Sequence, residues 1–214
     1  GKFATAFSFL KAIKPFIRIG YKELTQDKSA FNSAMSYTLK RAVTGSGKEI
    51  KIDFDRALVS MGTLMPIFEG AATVSNHQMT FNWKDNSGMG NAERTDIVMV
   101  LVYNKDREAA VYDTEAALRS DCHAGLQLPE DWQDDELVAY LSFCSTDGNC
   151  VANSICLPIS VIEIPEEEID VQTESIDTTH KRILPDKRTV HQSRITVHSL
   201  SAPPNEIRTY RCET

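Results

Sequence analysis

No stretch of this sequence approaches the ~18 consecutive apolar residues that carry a helix across a bilayer, so no membrane span is expected. Its five cysteines, Cys122, Cys144, Cys150, Cys156 and Cys212, include no Cys-x-x-Cys pair, which leaves neither a zinc ribbon nor a thioredoxin-type motif. Five histidines (His77, His123, His180, His191, His198) are dispersed, and none belongs to a His-Glu-x-x-His. There is no Gly-x-Ser-x-Gly for a serine hydrolase. No Asn-x-Ser/Thr glycan acceptor occurs either. Residues 44–49 (TGSGKE) come near a phosphate loop, but Ala42 stands where the first glycine is needed and Glu49 where a hydroxyl must hold magnesium. Gly88, Gly90 and Glu93 lack the third glycine of a dinucleotide fingerprint. Carboxylates are plentiful, yet no spacing pairs two of them across a cleft. These absences nominate no catalytic residue, no cofactor and no metal site. The chain opens at Gly1 directly into a helical pattern, without the layout of a signal peptide, and that start points to no compartment.

What is present is ordinary globular material: 42% hydrophobic and 25% charged residues, enough to bury a core. The net charge of −7 conceals a partition. Residues 1–51 carry net +7, residues 52–162 net −11, residues 163–179 net −7 and residues 180–214 net +4. Alternating blocks of this kind predict segments that attract one another or that serve separate partners.

Periodicity divides the chain. Residues 3–14 (FATAFSFLKAIK) place Phe3, Phe7, Leu10, Ile13 and Ile17 at helical spacing, with Pro15 expected to end or kink the helix. Lys11, Lys14, Arg18 and Lys22 lie on the other face, and Gly20 offers a break. A second helix is predicted from an N-cap at Asp27 or Ser29, with the stripe Phe31, Ala34, Met35, Thr38, Leu39, Ala42, Val43, stopped by Gly45 and Gly47. From Glu49 the period becomes two. Strands are predicted at 71–74, 78–83, 97–104, 109–114, 124–128, 137–144 and 150–159, with Asp147 and Gly148 as the hairpin signal between the last two. The expected class is α+β. A helical hairpin (1–48) precedes an antiparallel β-sandwich (49–162, core 70–160), with Trp83, Trp132, Tyr103 and Tyr140 in the core. A polar, partly disordered tail follows (163–214), in which residues 195–200 could form an edge strand. Cys144 and Cys150 could face each other across the hairpin; the plainer reading is reduced, half-buried thiols.

The runs AFNSAMSYTLKRAV, DRALVSMGTLMP, FNWKDNSGMGNAERTDIVMVLVYN, EAAVYDTEAALRS, LQLPEDW and CSTDGNCVANS, in that order, resemble an uncharacterised family of Bacteroidota proteins of about this length. That family has no assigned activity. The resemblance runs from residue 1 to about 160; the Gly-rich basic opening and Asn-Pro-x-Thr stretch usual in such proteins are absent here. Cys144, Cys150 and Cys156 stand where the family usually has other residues. A weaker likeness links the basic-helix arrangement to phage and prophage structural proteins. Leu128, Pro129, Trp132 and Tyr140 are similar to the E–F corner of fibronectin type III domains, and Trp83 suits the buried tryptophan of that fold.

Residues 85–96 (DNSGMGNAERTD) are the most distinctive stretch, long and rich in Gly, Asn and Asp. Asp85, Asn86 and Asp96 are oxygen donors, but the Asp-x-Asn-x-Asp-Gly spacing of a calcium loop is missing. A structural turn, an adaptable recognition loop and a calcium loop stay open at this stage. In a sandwich, the loops after the second, fourth and sixth strands gather at one end. The expected binding residues are therefore Asp85, Asn86, Asn91, Asp96 and Asp147. The expected function is a non-enzymatic interaction or structural protein that presents these loops to a protein or glycan partner. The alternatives are phage-type assembly or nucleic-acid association through Lys11, Lys14, Arg18 and Lys22, and a glycan-acting enzyme or glycan-binding module.

Overall fold

The run IVMVLVYN at 97–104 is apolar at nearly every position, the pattern of a strand covered on both faces. In a computed structural model, which describes residues 1–163 and 196–199, both faces are covered. Helices α1 (Lys2–Ala12), α2 (Lys14–Gly20) and α3 (Ala30–Arg41) come first. A two-stranded ribbon of β1 (Val43–Thr44) and β2 (Lys51–Ile52) follows. Then come β3 (Gly70–Ser75), β4 (Gln78–Trp83), β5 (Ile97–Asn104), β6 (Ala109–Leu118), β7 (His123–Gln127) and β8 (Leu137–Cys144). The described chain ends with β9 (Ile155–Leu157), β10 (Ile159–Glu163) and β11 (Thr196–Ser199). Two larger sheets result, ordered β11-β10-β3-β4-β7 and β6-β5-β8-β9. The class is mixed α+β with mostly antiparallel pairing.

Strand alternation sorts the core into two clusters. Val98, Val100 and Val102 of β5, with Ala139, Leu141 and Phe143 of β8, meet Ala72, Met79, Phe81 and Trp83 of the facing sheet. The intervening residues Met99, Leu101, Tyr103, Val138 and Tyr140 meet Ala6, Phe9, Leu10, Ile13, Phe16 and Ile17 of the helices. β5 and β8 thus form a middle layer between helices and sheet. Trp83 and Tyr140 are fully buried.

Several expectations are corrected. α1 ends ahead of Pro15, as expected, but a second helix resumes at once. The break falls at Ile13, and Pro15 sits in the first turn of α2, where its missing N–H is not needed. The buried stripe of α1 is Ala6, Phe9 and Leu10, while Phe3 is 64% and Phe7 41% exposed. α3 is capped by Ser29, whose Oγ accepts from Asn32 N at 3.1 Å, and it stops at Arg41, before Val43 pairs in the ribbon. The predicted strand 150–159 is split. β9 stays with β8, Pro158 intervenes, and β10 pairs parallel with β3 in the other sheet. A proline lacks a ladder donor, so this is where the chain can leave one sheet, while the Pro158 carbonyl still accepts from Ala72 N at 2.9 Å. Cys144, Cys150 and Cys156 are free thiols, which agrees with the plainer of the two readings. The predicted tail lies outside the described residues apart from Glu163 and β11.

Candidate functional site at the loop end

The long β4–β5 connection is organised by a residue that follows β6, the neighbour of β5 in its sheet. β6 runs into a short turn, Arg119–Asp121, and Arg119 is fully buried. Its Nε donates to Asp96 Oδ2 at 2.9 Å, its Nη1 to Asn86 Oδ1 at 2.8 Å and its Nη2 to the Met65 carbonyl at 2.7 Å. The guanidinium lies 3.9 Å from the centre of the Phe143 ring, and the Arg119 carbonyl accepts from Trp83 Nε1 at 2.8 Å. Burial pushes the guanidinium down from its ordinary value, and the Asp96 and Asp85 carboxylates push it back up. Arginine titrates so high that it stays a cation here.

Around this node the expected site residues take distinct places. Asp96 is 1% exposed; its Oδ2 also accepts from Glu93 N at 2.8 Å, while its Oδ1 has no donor among the described residues. Asn86 is half-buried and donates to the Pro66 carbonyl at 2.8 Å. Asn91 is exposed at the surface, yet both ends of its amide are engaged, by Met65 N at 2.7 Å and the Thr63 carbonyl at 3.0 Å. Asp85 is exposed and caps its own turn through Ser87 N and Oγ. Asp147 is exposed and holds its turn through Ser145 Oγ at 2.6 Å and Asn149 N at 2.9 Å, contacts that lower its carboxyl below the usual range. The loops at 85–96 and 145–149 meet where Thr146 Oγ1 donates to the Thr95 carbonyl at 3.0 Å. The loops after β4, β6 and β8 therefore share one end of the molecule. The cation that Asp96 meets is Arg119, and no group of three or more metal-ligating side chains occurs among the described residues.

The predicted basic face divides. Lys11, Lys14 and Arg18 are exposed, whereas Lys22 is half-buried and donates to the Gly148 carbonyl at 2.7 Å, tying the helices to the loop end. Beside it Glu23 accepts from Thr63 N, Thr63 Oγ1 and Val151 N at 2.9, 2.6 and 2.9 Å. Burial raises Glu23, but these bonds outweigh it and hold the carboxyl below its ordinary value.

On another flank a broad open trough of about 2580 Å³ passes α1, β2, β9 and β10. That exceeds the ~300–1,000 Å³ of a small-molecule pocket. Cys156 lines it, and burial together with Asp55 pushes its thiol up to about 12, so it is protonated at neutral pH and no ready nucleophile.

Over residues 1–158 the chain matches a family of unknown function (DUF6266). The chain belongs to that family. No curated protein and no solved structure matches it. The DUF6266 match ends at Pro158, so it takes in the helices, the β6-β5-β8-β9 sheet, β3, β4, β7 and every residue of the Arg119 node. β10 and β11 lie beyond it. Arg119, Glu23 and Lys22 are the residues that sequence reasoning missed in these roles. Arg119 and Glu23 carry no local signal, because the groups their side chains bond lie at least 23 residues away in sequence.

Proposed function

We propose that this protein is a non-enzymatic interaction module, a fibronectin type III-like sandwich that offers its loop end to a protein partner. One observation carries the reading. Six large apolar side chains are exposed among the described residues, and three of them, Phe68, Met89 and Leu118, stand on the segments that Arg119 ties together. Phe68 lies in the 65–69 segment, bonded to the β4–β5 loop through Met65–Asn91, Pro66–Asn86 and Glu69–Lys84. Met89 is at that loop's tip, 49% exposed, and Leu118 directly precedes Arg119. Beneath them Arg119, Asn86 and Asn91 are tied to neighbouring segments by hydrogen bonds, so the loops are held before any partner arrives. Apolar tips on a preorganised frame lose little entropy on binding.

The strand order supports the sandwich reading, since β3-β4-β7 faces β6-β5-β8-β9 and the even-numbered loops converge. The shifted groups suit a binding role as well. Tyr103 is pushed up to about 12 by burial and Tyr140 is raised the same way, which serves packing and leaves neither poised for proton transfer near neutrality.

The test compares proteins captured from a lysate of the source organism by the wild type and by a Phe68→Ser/Met89→Glu variant. Both should melt at the same temperature. A protein held by the wild type, lost by this variant and still held by a Lys14→Glu control supports the reading. If every captured protein binds both forms equally, the loop end is not the partner surface.

A further inference from the structure

The other three exposed apolar side chains, Phe3, Phe7 and Leu24, lie in the helical layer, and two of them belong to a stripe of different chemistry. Phe3, Phe7 and Lys11 recur every four residues along α1, Lys14 and Arg18 do so in α2 beyond the break at Ile13, and all five are exposed. The Phe3 and Phe7 rings are stacked 15° from parallel, with centroids 6.2 Å apart. Phe7 meets Phe31 edge-on at 5.9 Å, and Lys14 Nζ sits 5.7 Å from the Phe31 ring. Residues 1–22 hold five Lys and Arg and no Asp or Glu. Among the described residues the ion pairs involve Lys105, Arg107 and Arg119, so the stripe's cations are unpaired. The nearest acid with a contact to α1 is Glu108, which accepts from Ser8 Oγ at 2.9 Å on the flank of the stripe.

We propose that this stripe binds single-stranded nucleic acid, with bases on the Phe3 and Phe7 rings and phosphates along Lys11, Lys14 and Arg18. Exposed aromatic faces and unpaired cations are the two parts of a single-strand site: stacking that every base can make, and a track for the backbone. An anionic membrane would use the same charges, but the main apolar face of α1, Ala6, Phe9 and Leu10, is already spent on the core. Two rings then remain to insert, a small area for an interfacial helix. The acidic remainder of the chain does not forbid the site, because charges more than about 8 Å away are largely screened at physiological salt. This surface is independent of the loop end, so either can fail without the other.

Fluorescence anisotropy of the full chain with labelled oligothymidylate, at about 50 mM salt, tests it. The expected result is binding whose log K falls with log salt at a slope of about −2, as three cations at ~0.7 each require, and weaker binding to a duplex of equal length. Lys14→Glu/Arg18→Glu should weaken it at least about tenfold, and Phe3→Ala about tenfold, the scale of one stacked base. Lys48→Glu, an exposed charge elsewhere, should change nothing. Circular dichroism checks that each variant is folded. The proposal is overturned if the wild type does not bind, or if neither stripe variant differs from it. It is equally overturned if the duplex binds as well as the single strand, or if the protein instead sediments with phosphatidylglycerol-containing vesicles.

Discussion

Arg119 shows how much of the site rests on single buried side chains. It and Asp96 are 0% and 1% exposed, so each is a buried charge that depends on the other. Removing one partner of such a pair costs about 3–5 kcal/mol, because the survivor is left uncompensated, whereas replacing both with apolar groups is far milder. Arg119→Met should therefore destabilise the protein by about that amount in urea titration. Arg119→Met/Asp96→Leu should recover part of the loss; simple additivity within ~0.5 kcal/mol would mean that the pair is not coupled. Glu23 gives a second residue-scale expectation, in pH. Its folded value lies below the ordinary 4.5, so its contribution is fully present above that value and is lost as pH falls through the folded one. Thermal melts of Glu23→Gln should thus fall short of the wild type at neutral pH, with the gap closing below about pH 4.5. A gap that stays constant down to pH 3 would show that the charge of Glu23 plays no part. Neither residue was legible in the sequence as a node, because a long-range polar contact leaves no periodicity behind. Asp85, Asn86, Asn91, Asp96 and Asp147 were visible as a polar, glycine-rich end, but sequence could not say that most of their bonds point into the protein's own backbone.

Elements were easier to read than residues. β4, β5 and β8 fall at 78–83, 97–104 and 137–144, where alternation or continuous apolarity places them, because a strand's two-residue period leaves little freedom of interpretation. The β3–β4 turn was less visible: Asn76 and His77 both adopt positive φ, 47° and 61°, a type I′ turn made without glycine. In α1 the reading failed for a definite reason. Apolar residues occupy positions 3, 4, 6, 7, 9, 10 and 12, which covers more than one face, so periodicity alone cannot choose between them. Tertiary contacts decide: Phe9 packs edge-on against Tyr103 at 5.0 Å and Phe54 at 5.5 Å, and Phe3 is left outside. Phe9→Ala should accordingly cost about 3–5 kcal/mol. Phe3→Ala should stay within ~0.5 kcal/mol in the same denaturation assay. Equal losses at the two positions would restore the stripe expected from sequence. Gly20 belongs to this scale too. A Cβ there would collide with the Val59 carbonyl oxygen, and Gly20's own carbonyl accepts from Met61 N at 2.9 Å, so the small residue serves close approach as well as the helix end.

At the scale of the molecule, the decisive feature is that β5 and β8 belong to both cores. The even-numbered side chains of β5 point to the facing sheet and the odd-numbered ones to the helices, so neither layer can lose its packing without uncovering the same strands. The three helices with their connections make about 40 residues, a size at which a chain rarely buries enough surface to stand alone. Lys22 and Glu23 add polar ties from the helices to Gly148, Thr63 and Val151. The sequence suggested a hairpin and a sandwich as successive units along the chain. Shared burial predicts that the two unfold as one cooperative unit. The two tryptophans, Trp83 and Trp132, are both buried in the inter-sheet cluster, so their fluorescence reports on that core, while the far-ultraviolet helical signal reports on α1, α2 and α3. In a urea titration of the full chain the two signals should change together, with one midpoint and one slope, as a two-state transition requires. Phe16→Ala, which touches only the helical cluster and sits edge-on to Tyr112 at 5.9 Å, should move the tryptophan midpoint as far as the helical one. If the helical signal is lost first and the tryptophans stay native, the helices are a separable layer on an independently stable sandwich.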